Sequence, residues 1–129
     1  MYFLIHFKTL YPIIFKHKSP KLYKGYRIMD ILEIINRISY LRTRANLSAR
    51  ELSLRIGKNE AYINRLEYRK NFEPSITVLL DIISACGSTV DEFFYYDINQ
   101  YRHDKQVISL LQNCKNHDKK QAIIALLQN

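Results

Sequence analysis

Arg42, Arg44, Arg50, Arg55, Lys58, Arg65, Arg69 and Lys70 place eight cations within residues 42–70, where only Glu51, Glu60 and Glu67 oppose them. Guanidinium and ammonium groups at this density suit contacts with a polyanion. The next segment has the opposite sign: residues 71–99 hold Glu73, Asp81, Asp91, Glu92 and Asp97 and no Lys or Arg. Residues 1–28 carry six Lys or Arg and no acid, so the net charge of +8 hides a strong separation. The other reactive side chains fall in no working arrangement. His6, His17, His103 and His117 are scattered and match no metal-ligand spacing. Cys86 and Cys114 are far apart and read as small apolar residues of a reducing compartment. Asp91–Glu92 looks like a paired carboxylate, but placement at a helix start explains it better. With no Gly-rich phosphate loop and no nucleophile motif, the expectation is a protein that is not an enzyme and needs no metal or cofactor.

The cations must be positioned by the stretch LSARELSLRIGKNEAYINRLE at 47–67. Ser48 with Glu51 three residues on makes a capping box. Leu52 and Ile56 lie four apart on one face. Gly57 stands where a helix end needs φ > 0. Asn59 is suited to cap a second helix. That helix buries Ile63 and Leu66 and leaves Glu60, Ala61, Asn64 and Arg65 on other faces. Helix, Gly turn, helix is the pattern of a unit whose second helix can enter a DNA major groove.

Flanking segments complete a small all-α domain. Asp30 caps a first helix with Ile31, Ile34, Ile35, Ile38 and Leu41 at helical spacing, ended by Arg42, Arg44 and Asn46. Pro74 precedes a fourth helix carrying Ile76, Leu79, Leu80 and Ile83, which stops at Gly87. Thr89 and Glu92 form a second capping box, for a fifth helix burying Val90, Phe93 and Phe94. Five helices at this length approach the lower size for a single core. Two amphipathic helices follow, one striped by Ile108, Leu111 and Cys114, the other capped by Asp118 and carrying Ile123, Ile124, Leu126 and Leu127. They cannot form a core alone, so they must cover the domain or a second chain. The expected domains are therefore an aromatic, basic extension at 1–28, a DNA-binding domain at 29–97 and a helical extension at 98–129. The first is interrupted by His6, Lys8, Pro12 and Pro20, too broken to span a bilayer and unlike a signal peptide. The codons of Lys24–Gly25 can spell a ribosome-binding sequence, so a start at Met29, or a poorly ordered tail, is expected in preference to a functional basic arm.

Residues 31–95 resemble the Cro/repressor-type helix-turn-helix family, often called XRE. The resemblance lies in Leu41-Arg42, Leu47-Ser48, Glu51-Leu52-Ser53, Gly57, Tyr62-Ile63, Leu66-Glu67, Pro74-Ser75, Gly87 and Val90-Asp91-Glu92-Phe93-Phe94. It covers all five helices and implies a lambda-repressor-like fold. The chain departs from the family in three places. Tyr68-Arg69-Lys70 replaces the usual Asn-Gly-Lys, Ala49 stands where a polar residue is usual, and Glu60 where Gln or Arg is common.

The resemblance implies that Glu60, Ala61, Asn64 and Arg65 read bases. By side-chain chemistry Arg65 suits guanine, Asn64 adenine, Ala61 a thymine methyl and Glu60 a cytosine amino group; Glu60 equally suits the helix dipole as a first-turn acid. Arg42, Arg44, Ser48, Arg50, Lys58, Asn59 and Lys70 are expected on phosphates. Tyr62 can join them through its hydroxyl while its ring packs. Glu51 and Glu67 are expected to be structural. The implied function is a cytoplasmic, double-stranded-DNA-binding transcriptional regulator, a repressor acting as a homodimer at inverted half-sites, with residues 98–129 as the dimerisation segment. The alternative is an antitoxin-like or partner-controlled subunit that binds another protein through its acidic half and those same C-terminal helices. No membrane partner is expected.

Overall fold

In the computed structural model, Asp30 accepts the Glu33 N–H at 2.9 Å and opens α1, Ile31–Arg44. The structure describes residues 22–23, 26–69 and 71–128. The N-terminal extension and the reading of Met29 as a start lie outside them, save two paired two-residue strands, β1 (Leu22–Tyr23) and β2 (Tyr26–Arg27). The remaining elements are helices: α2 Ala49–Arg55, α3 Tyr62–Tyr68, α4 Ile76–Ala85, α5 Val90–Phe93, α6 Tyr101–Asn113 and α7 His117–Leu127. The described residues fall into two compact units, divided between Val90 and Asp91.

Three helices of the first unit end in the same way. After α1, Asn46 takes φ +55 and donates to Thr43 O, while the Leu47 N–H reaches Arg42 O. Gly57 (φ +68) and Lys58 repeat the two bonds to Leu54 and Ser53 after α2, and Gly87 (φ +67) and Ser88 to Ser84 and Ile83 after α4. These are Schellman ends, which satisfy carbonyls the helix leaves open. The first uses Asn, whose short polar side chain tolerates the left-handed region. After α3 no Gly is available, and the left-handed residue is Asn71 at φ +66. The left-handed position that the resemblance implies at the second residue past Glu67 is not taken there. Arg69 at φ −96, ψ 128 continues extended.

The core of this unit is Ile38 and Leu41 from α1, Leu47, Leu52 and Ser53 around α2, Ile63 and Leu66 from α3, and Val78, Ile82, Ile83 and Cys86 around α4. α2 packs on α3, α1 on α3, and α4 on both α1 and α2. Not every expected apolar stripe is buried. Ile31, Ile76, Leu80, Val90 and Phe94 are all exposed, Ile76 at 79%. In α4 the buried face is Val78, Ile82 and Ile83, turned from the expected one because Ser75 caps the helix and Ile76 is its first residue. Ile76, the first helical residue, lies at the rim of the helix and stays in solvent.

In the second unit Phe93 is fully buried and meets Phe94 edge-on at 5.0 Å. Glu92, buried, is approached by Arg102 Nε at 3.5 Å. The Tyr95 hydroxyl donates to Asp104 Oδ2 at 2.8 Å. α7 is capped by Asn116, whose Oδ1 accepts the Lys119 N–H at 2.9 Å. Asp118, expected as the cap, lies inside the first turn, where its charge faces the helix dipole instead. Neither α6 nor α7 has a buried residue, and Val107, Leu110, Ile124, Leu126 and Leu127 are exposed.

Candidate nucleic-acid interface

Ser48 caps α2 by accepting the Glu51 N–H at 3.1 Å, and Glu51 Oε2 returns a bond to the Ser48 N–H at 2.7 Å. These bonds from Ser48, backbone first and hydroxyl second, hold the Glu51 carboxyl below its ordinary range. The capping box thus spends Glu51 on the backbone and leaves Arg50 as the exposed charge of that turn.

α3 starts later than Asn59 would place it. The first α-helical residue is Tyr62, Ala61 occupies the cap position, and no side chain of the cap residue bonds the helix. Asn59 instead accepts the Ala61 N–H through Oδ1 at 3.2 Å and the Tyr62 N–H through its carbonyl at 3.0 Å. This Asx turn leads into the helix from outside. The Ile63 N–H, one of the donors that a helix start leaves open, is met from the neighbouring helix. Ser53 Oγ accepts it at 3.0 Å and donates to Ala49 O at 2.7 Å. Ser53 is fully buried. One hydroxyl therefore caps α3 across the turn and fixes its distance from α2. Sequence reading missed this, although the signal was present: a Ser on a buried helix face must find a partner.

Arg42 is turned away from solvent. Its Nε and Nη2 engage both carboxylate oxygens of Glu67 at 2.8 and 2.9 Å, and Nη1 donates to Leu47 O at 2.9 Å. Side-chain exposures are 19% for Arg42 and 6% for Glu67. The guanidinium, expected on phosphate, thus spends all three nitrogens joining the ends of α1 and α3 to the segment before α2. Arg44 lies over the Tyr40 ring at 5.4 Å. Buried Cys86 is pushed up to about 11 by desolvation, which outweighs the opposing pull of Arg42, Arg44 and Arg55.

The expected reading residues come together at the start of α3. Glu60, Ala61 and Asn64 are exposed and Arg65 is half-buried. Two internal contacts organise this edge. Arg50 Nε meets Glu60 Oε2 at 2.8 Å, with side-chain exposures of 70% and 64%. Arg65 Nη2 donates to Asn59 Oδ1 at 2.7 Å. Lys58 Nζ lies 5.8 Å from the Tyr62 ring centre, and that ring meets Phe72 edge-on at 5.2 Å. Burial raises the Tyr62 phenol above its usual value. Lys70 lies outside the described residues. The outcome is an exposed edge with acceptor, methyl, carboxamide and guanidinium groups in one turn, flanked by Arg50, Lys58 and Ser48.

Among the described residues no group of His, Cys, Asp and Glu could hold a metal ion, and no helix is long and apolar enough to cross a membrane. A family model described as helix-turn-helix matches residues 38–93. No curated protein and no solved structure matches the chain.

Proposed function

We propose, from the helix-turn-helix family model that matches residues 38–93, that the chain is a Cro/repressor-type (XRE) DNA-binding regulator: a cytoplasmic, sequence-specific repressor that binds an inverted-repeat operator as a homodimer. One observation carries the reading: the Ser53 bridge between α2 and α3 holds exposed Glu60, Ala61 and Asn64 and half-buried Arg65 along one edge among cations. In a major groove, Arg65 would take guanine O6 and N7, Asn64 an adenine and Ala61 a thymine methyl. Glu60 is paired with Arg50, so it reads a cytosine amino group only where that contact replaces the pair.

Arg44, Ser48, Arg50, Lys58, Tyr62 and Lys70 form the phosphate-contacting set, which positions the domain without reading sequence; Asn59, expected among them, is left out because its carboxamide oxygen is taken by the Ala61 N–H and by Arg65. Arg42 is left out of it, because moving its guanidinium to phosphate would strand the nearly buried Glu67 carboxylate. A single such module reads few base pairs. Family members bind as dimers with half-sites about 34–36 Å apart. Residues 98–129 supply the second contact in this reading, supported by the exposed Val107, Leu110, Ile124, Leu126 and Leu127.

The same exposed residues support the alternative of a protein-binding, antitoxin-like subunit. Selection of the full-length protein on randomised duplexes separates the two. An enriched, two-fold-symmetric site, bound with a salt slope of about −0.9 per phosphate neutralised, is expected. Enrichment of no sequence would refute specific reading and favour the partner-binding alternative. Sedimentation of wild type and Leu110→Glu tests the dimer: an unchanged dimer in the variant argues against α6 as its contact.

A further inference from the structure

We infer that Asn59 is a positioning residue for the Arg65 guanidinium, holding it in the orientation that reads a base; the inference rests on the reading role proposed above for Arg65. The Asn59 carboxamide oxygen makes two contacts at once, to the Ala61 N–H at 3.2 Å and to Arg65 Nη2 at 2.7 Å. The first is a bond to the backbone two residues on, and it fixes the rotation of the carboxamide. The oxygen that Arg65 meets is therefore anchored to the turn and is not the loose end of a surface side chain.

The contact consumes little of what Arg65 offers. A guanidinium carries five N–H donors in a rigid fork, and Asn59 occupies one. No other side chain among the described residues bonds the Arg65 guanidinium, so a pair of donors remains for the two acceptors of a guanine edge. The chemistry of the partner matters too. An amide oxygen orients the cation without cancelling its charge. On the same edge the carboxylate of Glu60 orients Arg50 and also neutralises it. The edge thus holds one cation aimed with its charge intact and one held in check. Asn59 acts on sequence discrimination through Arg65, which a direct phosphate contact from Asn59 would not do.

The test compares a duplex selected by the full-length wild type from randomised sequence with a scrambled duplex of the same composition. The quantity read is the ratio of the two affinities, at one salt concentration and below the melting temperature of each variant. Asn59→Ala frees a long side chain that must then be ordered on binding, so the ratio is expected to fall about three- to tenfold. In an Arg65→Ala background the same substitution is expected to leave the ratio unchanged. Asn59→Asp keeps the acceptor and the turn. Its carboxylate also neutralises Arg65, as Glu60 neutralises Arg50, so the ratio should fall here too; an unchanged ratio in Asn59→Asp would show that the neutral charge of the partner is irrelevant and overturn that part of the inference. Equal weakening of both duplexes by Asn59→Ala would overturn the inference while leaving DNA reading intact. A fall in the ratio that persists without Arg65 would also overturn it. If the wild type selects no duplex, the reading role of Arg65 fails, and the inference with it.

Discussion

Replacing Ser53 with Ala deletes the one oxygen that joins α2 to α3 by a buried bond. In the wild type that oxygen accepts the Ile63 N–H at 3.0 Å and is fully buried, so solvent cannot stand in for it. A buried donor left without a partner costs about 1–3 kcal/mol. The substitution also places Ala in a helix interior, which recovers roughly 0.5 kcal/mol of intrinsic propensity. Little cavity is created, because only one small atom is lost. The net expectation is a destabilisation of about 1.5 kcal/mol, or roughly 6–12 °C in melting temperature for a domain of this size. Thermal unfolding followed by far-ultraviolet circular dichroism measures it. Amide hydrogen exchange adds a local reading, since the Ile63 N–H should lose protection more than the Leu66 N–H further along α3. Equal or higher stability of Ser53→Ala would refute the bridge as a stabilising element. Unchanged exchange at Ile63 would refute its role as the cap of α3.

Arg42→Ala should destabilise by about 3 kcal/mol, near the lower end for removing one partner of a buried pair, since Arg42 keeps some exposure; a urea midpoint within error of wild type would place Arg42 on the DNA side after all. Glu60→Gln releases Arg50 from an exposed pair worth about 0.2–1 kcal/mol, and should raise affinity for all duplexes a few-fold at low salt; an affinity loss confined to the selected site would instead establish Glu60 as a reader. The Glu51 carboxyl, depressed by its bonds from Ser48, stabilises the start of α2 above the ordinary carboxylate range near 4.3 and loses that contribution as pH falls through its lowered value. A carbon-detected titration should show this, with Ser48→Ala moving Glu51 back toward normal. Cys86, buried and raised to about 11, should resist a thiol reagent at pH 8 until the protein unfolds; rapid native labelling at Cys86 would contradict its burial.

The parts of this protein that were legible in its sequence are those governed by neighbours along the chain. The Ser48–Glu51 box, the Asp30 cap and the left-handed Gly57 and Gly87 each involve residues three or four apart, and local backbone geometry decides them. Burial of Ile63 and Leu66 follows from helical period in the same way. Where side chains compete for a partner at longer range, spacing was silent or misleading. Asn59 is a good cap by type, yet Ser53, ten residues before Ile63, supplies the oxygen to α3. Arg42 looks like a phosphate ligand in a basic run, yet Glu67 lies within reach only once α1 and α3 pack. The apolar Ile76 and Val90 fit a helical stripe, but their place at helix rims leaves them exposed.

For the interface the division is sharper. The sequence by itself determined that a basic helix-turn-helix would present Glu60, Ala61, Asn64 and Arg65 away from the core, because a short helix with two buried positions has no other face to give them. Only the tertiary structure decided which of the surrounding charges are spoken for. Glu67 binds Arg42 between helices, Glu60 meets Arg50 across the turn, and Asn59 takes hold of Arg65. Composition counts charges, but pairing depends on the distances and burial that packing creates.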